Sequence, residues 1–427
     1  MWGMHMAIHT VVSGDTLWRI SSIYGVPIPT IQLVNGLTSD ALVPGLNLYI
    51  PDESLPERFY QIRAGDTYWK LSLLFRTTVQ AIIAANPGVD PDALQVGQRI
   101  RIPTQLKYPL QTLVFIDAWD QSPYQNILRE ISGNISYLGI FTYSFNRQGA
   151  LIQPNDEAII QYSKQLNIKP LLVISNYEQG NFSPDLADVV LQSTTVRGTL
   201  IRNLVTTVTN KGFAGVSIDF EFVPPTRRNE FTAFLRELKG ALGTRIMQVN
   251  AHAKSSDMPS NRLVGFLDYR AIGETADIVS IMTIDYGYAV GPPDPIAPVW
   301  WVEQVLMYAT GQINRRKVML AMALYGYDWT LPHKQGNVAR SITANNAQNL
   351  AIANWVPITF DLSAQAPGYI YRRDGIEHAV WYEDIKSFVA KYALLEVYNL
   401  LGATYWRLRY RFPQNWVYLD ENVEVVK

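Results

Sequence analysis

Apolar and polar positions follow two different rhythms along this chain, and the change falls near residue 108. Beyond it, short apolar runs recur at Thr112–Asp117, Tyr137–Tyr143, Lys169–Ser175, Gly215–Glu221, Met247–His252, Ile278–Asp285, Lys317–Leu324 and Gly402–Trp406. Between them lie segments whose apolar residues return every three or four positions, such as Arg228–Leu242 and Glu383–Leu400. Short buried strands alternating with amphipathic helices predict a parallel sheet covered by helices, an α/β fold. Repeated this often over residues 108–427, the alternation fits a (β/α)8 TIM barrel. A doubly wound open sheet is the alternative, but no Gly-x-Gly-x-x-Gly follows the first strand. The stretch from about 327 to 381 is long for one connection. Its segments Pro357–Phe360, Gly368–Arg372 and Ala379–Tyr382 alternate like short strands, so a small α+β insertion is expected, walling one side of the barrel's carboxyl-end face.

Before residue 108 the chain repeats itself. Ser13-Gly14-Asp15-Thr16-Leu17-Trp18 answers Ala64-Gly65-Asp66-Thr67-Tyr68-Trp69, Val34-Asn35-Gly36 answers Ala85-Asn86-Pro87, and Pro44-Gly45-Leu46-Asn47 answers Val96-Gly97-Gln98-Arg99. The pattern predicts two β-α-α-β units, at 8–52 and 59–104, with Asp15 and Asp66 placed to cap the first helix of each. Asp52–Arg58 and Thr104–Pro109 read as short polar spacers. Both units resemble LysM modules. The resemblance implies binding to glycans that contain N-acetylglucosamine, in peptidoglycan or chitin.

Composition narrows the field. Hydrophobic residues at 48% and charged ones at 17% are the balance of a folded chain. A formal net charge of −1 argues against a nucleic-acid partner. No apolar run is long enough to span a bilayer, and Met1–Ala7 holds no cationic stretch leading into an apolar one, so no standard secretory signal is expected. With no cysteine, disulfides, thiolate nucleophiles and cysteine-ligated metals are excluded. The histidines (His5, His9, His252, His333 and His378) are scattered without metal-ligand spacing and read as ordinary surface or structural residues. No metal or organic cofactor and no obligate protein partner is expected.

The segment that carries chemistry is Gly215-Val216-Ser217-Ile218-Asp219-Phe220-Glu221. Strand alternation sends Val216, Ile218 and Phe220 toward the helices, and Ser217, Asp219 and Glu221 into the barrel. Two carboxylates on an inner strand face are costly to bury unless they are hydrogen-bonded or used. Glu221 falls at the carboxyl end of its strand, where barrel active sites lie. Such a pair suits acid–base work, whereas a structural ion pair is the plain alternative.

The segment resembles the Asp-x-x-Asp-x-Asp-x-Glu signature of family 18 glycoside hydrolases. This chain keeps the last two acids as Asp219 and Glu221, and has Ala214 and Ser217 in the earlier places. Phe141-Thr142-Tyr143, Met282-Thr283 and Trp406 match further family landmarks. With two leading LysM units, and with Tyr325-Gly326-Tyr327-Asp328-Trp329 and Phe412-Pro413-Gln414-Asn415-Trp416, the layout resembles the spore cortex-lytic enzymes. That resemblance implies an N-acetylglucosaminidase of spore peptidoglycan, placed at the spore coat or cortex or the cell wall.

It also implies roles. Glu221 is expected to act as acid and base, and Asp219 to hold the substrate acetamido group and to raise the Glu221 pKa by its like charge. Trp406 is expected to floor the sugar site, with Asp285, Tyr143, Ser217 and Tyr286 as further substrate contacts. One departure stands out. The family usually has a tyrosine at Ile284, whose hydroxyl holds the acetamido oxygen. Its loss keeps open a glycan-binding spore-coat protein with little or no turnover, and a chitinase shares all the catalytic chemistry.

Overall fold

Parallel strands close on themselves between residues 108 and 406: β1 (Tyr108–Asp117), β2 (Tyr137–Phe145), β3 (Lys169–Ser175), β4 (Gly215–Asp219), β5 (Ile246–His252), β6 (Ile278–Met282), β7 (Val318–Ala323) and β8 (Gly402–Trp406). Each pairs with the next in parallel, and β8 returns to β1 with Gly402 opposite Gln111, which makes an eight-stranded TIM barrel. This computed structural model describes residues 8–51, 55–119 and 124–427. His5, the rest of Met1–Ala7 and part of the first spacer lie outside the described residues.

The outward face of β4 shows why the barrel forms. Val216, Ile218 and Phe220 are at most 2% exposed, and the Phe220 ring stacks on Phe234 of the helix Arg228–Leu242 at 5.5 Å. Burying a side chain of this size stabilises the fold by about 1.5–3 kcal/mol, and the same layer of strand against helix runs round the whole barrel.

Between β7 and β8 the chain builds a separate five-stranded antiparallel sheet, ordered Arg340–Thr343, Tyr325–Thr330, Ile376–Trp381, Ala366–Arg373, Thr359–Asp361, with the helix Ala344–Ala353 against it. Tyr325–Thr330 begins two residues after β7, so the insertion rises directly from the carboxyl end of a barrel strand. Among the described residues no helix is long and apolar enough to cross a membrane.

Each amino-terminal repeat is two short helices on a two-stranded antiparallel sheet, Ile8–Thr10 with Asn47–Tyr49 and Glu57–Gln61 with Arg99–Pro103. The helix caps differ from the expectation. Thr16 and Thr67 are the N-caps, their hydroxyls accepting from the Arg19 and Lys70 amides. Asp15 and Asp66 instead close the preceding turn, each accepting a main-chain N–H from three residues back (Val12 and Arg63). The aspartate lies one residue too early to reach the free N–H groups of the first turn. Asn35 and Asn86 play one part twice. Each donates to a helix carbonyl and exchanges two hydrogen bonds with the last strand, at Tyr49 and at Arg101.

Candidate active site

Strand β4 ends at Asp219, so Glu221 stands just beyond it at the mouth of the barrel. Its main chain is clamped by Asn176, the residue after β3. Asn176 Oδ1 accepts the Glu221 N–H at 2.9 Å, and its Nδ2 donates to the Glu221 carbonyl at 2.8 Å. Phe222 then takes a left-handed φ of 54°, which turns the chain out of the barrel. The Glu221 side chain stays 17% exposed, open to the cleft.

Strand β5 supplies what faces these acids. Gln248, Asn250 and His252 alternate onto its inner side. Asn250 Nδ2 donates to Asp219 Oδ1 at 2.9 Å, and Gln248 Nε2 donates to Asn250 Oδ1 at 2.8 Å. Ser217 Oγ closes the ladder by donating to Gln248 Oε1. Above it, His252 Nε2 lies 3.2 Å from Glu221 Oε2. The Tyr269 hydroxyl donates to the His252 carbonyl at 2.6 Å and steadies that end of the strand.

These contacts set the charges. Burial, then the neighbouring Glu221, push the Asp219 carboxyl up to about 7, against the pull of Asn250 and His252. For His252, burial favours the neutral ring, but the hydrogen bond its Nε2 makes to the Glu221 carboxylate and the fields of Glu221, Asp219 and Asp285 outweigh it and raise the imidazole. Asp285 is raised by burial, with Glu221 adding to it, while the Tyr325 and Tyr327 hydroxyls work against the shift. Both hydroxyls donate to Asp285 Oδ1, at 2.8 and 2.9 Å.

Trp406 ends β8 and meets Phe141 edge-on at 5.2 Å and Phe115 at 5.7 Å. Ile284 packs into the apolar cluster that Trp406, Tyr327 and Trp381 also touch. The field of Glu221 reaches both Asp219 and Asp285, and the Tyr327 that donates to Asp285 packs in the same cluster as Trp406.

Other expected contacts lie elsewhere. Tyr143 is fully buried on the outer side of β2, where its hydroxyl donates to Asp156 Oδ2 at 2.5 Å and its ring meets Phe213. The register of β2 against β3 shifts between Ile140 and Tyr143, which upsets a count made by simple alternation. Tyr286 packs its ring on Trp300 and Trp301, each at 5.3 Å, after the left-handed φ of 57° at Asp285 has ended any strand alternation. Ser217 is sealed beneath Asp219 and touches Gln248, not the open cleft. His252, read as an ordinary histidine, faces Glu221. Asn176, Gln248, Asn250, His252, Tyr325 and Tyr327 are the site residues that sequence reasoning missed. The signal for the three on β5 was there: polar side chains at every second position of a strand belong on its inner face. Among the described residues no group of three His, Asp or Glu side chains could hold a metal ion.

Comparisons with known proteins match both parts of the chain. The family model for glycosyl hydrolases family 18 matches residues 111–410, and that for the LysM domain matches 9–51 and 60–103. The cortical fragment-lytic enzyme of Bacillus anthracis is 34% identical over 428 residues, covering 98% of this chain and 99% of that protein. The crystal structure of the Bacillus cereus spore cortex-lytic enzyme SleL superposes with a TM-score of 0.87 at 33% identity, over 98% of both chains. A chitinase from Chromobacterium violaceum matches with a TM-score of 0.68 at 25% identity, over 73% of this chain and 98% of that one. The chain belongs to the glycosyl hydrolases of family 18, with two LysM domains ahead of the barrel.

Proposed function

We propose that this protein hydrolyses N-acetylglucosaminyl linkages of spore-cortex peptidoglycan, with Glu221 as acid and base and the substrate's own acetamido oxygen as nucleophile. The observation that carries the proposal is the paired carboxylates at the end of β4, Asp219 pinned by Asn250 and Glu221 open to the cleft. Glu221 protonates the leaving glycosidic oxygen as the anomeric bond breaks, and the acetamido oxygen closes on the anomeric carbon. Asp219, ionised while Glu221 carries the pair's one proton, accepts the acetamido N–H and balances the cation that forms on the ring. Glu221 then takes a proton from the water that reopens it. Two displacements at one carbon retain its configuration. Trp406 stacks on the sugar face.

Peptidoglycan is favoured over chitin because the relatives that match end to end, LysM domains included, are named for cortical fragments and the spore cortex. The chitinase shares only the barrel part. The same relatives point to the spore cortex or the cell wall as the place of action. The second reading, glycan binding without turnover, rests on Ile284: it offers no donor to the acetamido oxygen, and a missing preorganised donor commonly costs about 10²–10³ in rate.

Mass spectrometry of cortical fragments after incubation decides between them. Products newly ending in N-acetylglucosamine are expected with the natural protein and not with Glu221→Gln. Binding by both without products would leave the second reading. The pH profile tests the pair. One shared proton is needed, so kcat/KM falls as pH rises through about 7. Asn250→Ala removes a donor that holds Asp219 down, and the alkaline limb moves upward. A limb that stays put would detach it from Asp219.

A further inference from the structure

Three rungs tie the inner faces of β4 and β5 together. Ser217 meets Gln248, Asp219 meets Asn250 at 2.9 Å, and Glu221 meets His252 at 3.2 Å. One register sets all three: Ser217 stands opposite Gln248, and each later rung lies two residues further along both chains. The two lower rungs end in neutral amides. Only the top rung, beside the acid that opens to the cleft, ends in a side chain that titrates near neutrality.

The rest of the fold places little demand on this imidazole. Among the described residues its one hydrogen bond joins Nε2 to Glu221 Oε2. An ionised carboxylate can only accept, so Nε2 is the donor. The Tyr269 hydroxyl takes the His252 main-chain carbonyl and leaves the ring alone, and the pairing with Met282 of β6 is made through the backbone. The ring's aromatic neighbour is Phe222, 6.1 Å away at a tilt of 42°.

Charge gives the ring a use. Burial opposes its protonation, but Glu221 and Asp219 from the end of β4 and Asp285 from beyond β6 all raise it. The ring's field pulls back on Asp219 and Asp285, against the burial that raises both. Other cations nearby are engaged elsewhere. Lys254, two residues on, bonds Asp257 and the Leu267 carbonyl, and Arg407 after Trp406 pairs with Asp117.

We propose that His252 is a positioning residue for the acid and base: as an imidazolium it holds Glu221 Oε2, which leaves Oε1 to deliver and recover the proton. The proposal rests on the glycosidase reading above. When Glu221 passes its proton to the leaving glycosidic oxygen, a carboxylate forms within the fields of Asp219 and Asp285. His252 offsets that new charge and keeps its bond to Oε2, so the side chain does not turn between the two steps. Glu221 Oε1 then takes a proton from the water whose oxygen bonds to the anomeric carbon. His252 keeps its own proton throughout. Activity therefore needs two protons, one shared by Asp219 and Glu221 and one on His252.

Kinetics on soluble cortical fragments across pH test this, with His252→Ala and with His252→Gln, whose amide reaches the place of Nε2 without its charge. His252→Ala is expected to lower kcat at least about tenfold at about pH 6, with KM held within about twofold. His252→Gln keeps a donor and is expected to recover at least about threefold of that loss. On the alkaline side, log kcat/KM of the natural protein should fall with a slope of about −2, and that of His252→Gln with about −1. The limb of His252→Gln should also lie at higher pH, because Asp219 has lost the ring's pull. An unchanged kcat in His252→Ala overturns the proposal, as does a glutamine variant as slow as the alanine one or one that keeps the natural slope.

A second measurement needs no turnover. Followed by NMR, the His252 imidazole should titrate at lower pH once Glu221→Gln removes the charge that faces it. Cleavage by the natural protein with a titration that Glu221→Gln leaves in place would sink the role of His252 alone; a moved titration with no cleavage would sink the glycosidase alone.

Discussion

Asn47 and Arg99 hold the same place in the two repeats, and what each touches separates them. Asn47 Nδ2 donates to Asp384 Oδ2 at 2.6 Å, and both residues are buried at the joint with the insertion. Arg99 pairs with Glu303 on a helix of the barrel, the two side chains 29% and 26% exposed. The interiors diverge in the same sense. Ile31 belongs to an apolar cluster that continues into Ile342, Tyr369 and Val380 of the insertion, whereas its counterpart Ile82 belongs to a cluster made of the second repeat alone. Asn35 is reached by Gln414 of the helix Pro413–Asn422 at 2.6 Å, and the Asn86 side chain bonds only within its own repeat among the described residues. One module is built into the barrel's fold, and the other rests on it through charged contacts. A repeat pattern specifies the inside of each module. A few surface positions decide whether it becomes scaffold or stays a separate binding unit.

Core truncation should separate the two most. Ile31→Ala and Ile82→Ala each remove a fully buried side chain and should each cost about 2–5 kcal/mol. The first should lower the main melting transition and the cleavage rate together, because its cluster is shared with the insertion that flanks the cleft. The second should give a separate, earlier transition and leave cleavage of small soluble fragments intact. One common transition for both, read by calorimetry, would break the comparison.

The edge glycines come next. Gly45 and Gly97 have φ of 85° and 88°, so alanine strains either by about 1 kcal/mol. Only Gly45→Ala also drives a methyl into the Ile358 backbone, adding about 1–3 kcal/mol. Denaturant midpoints should rank them in that order. Asn47→Ala leaves buried Asp384 short of a donor and should cost about 1–3 kcal/mol. Its counterpart Arg99→Ala breaks a part-exposed ion pair and should cost about 0–1 kcal/mol, less still in high salt. If Arg99→Ala equalled Asn47→Ala in urea unfolding, the second module would be as firmly built in as the first.

Legibility followed the range of the interactions involved. The repeats and the barrel show in the order of residues because strand and helix periodicity act over a few positions. Asp219 and Glu221 were legible for the same reason: alternation along one strand sends both inward. Asn176 was not, and for Asn250 and His252 alternation gives only the inward face; that they meet the acids depends on β3 and β5 flanking β4 in the closed barrel. Tyr143 went astray at the register shift in β2, which no single-strand count can anticipate. Tyr325 and Tyr327 were quoted for their likeness to relatives, but their convergence on Asp285 depends on where the insertion leaves β7.

By itself the sequence determined the two repeated modules, the eight-fold strand–helix alternation and the carboxylate pair, all local patterns written in consecutive residues. Only the tertiary structure decided which groups surround that pair, and how far burial raises the Asp219 carboxyl. It alone separated the module that shares its core with the insertion from the one that rests on the barrel through charged contacts. Those outcomes depend on solvent exclusion and on contacts between residues far apart in the chain, and neither exists until the barrel has closed.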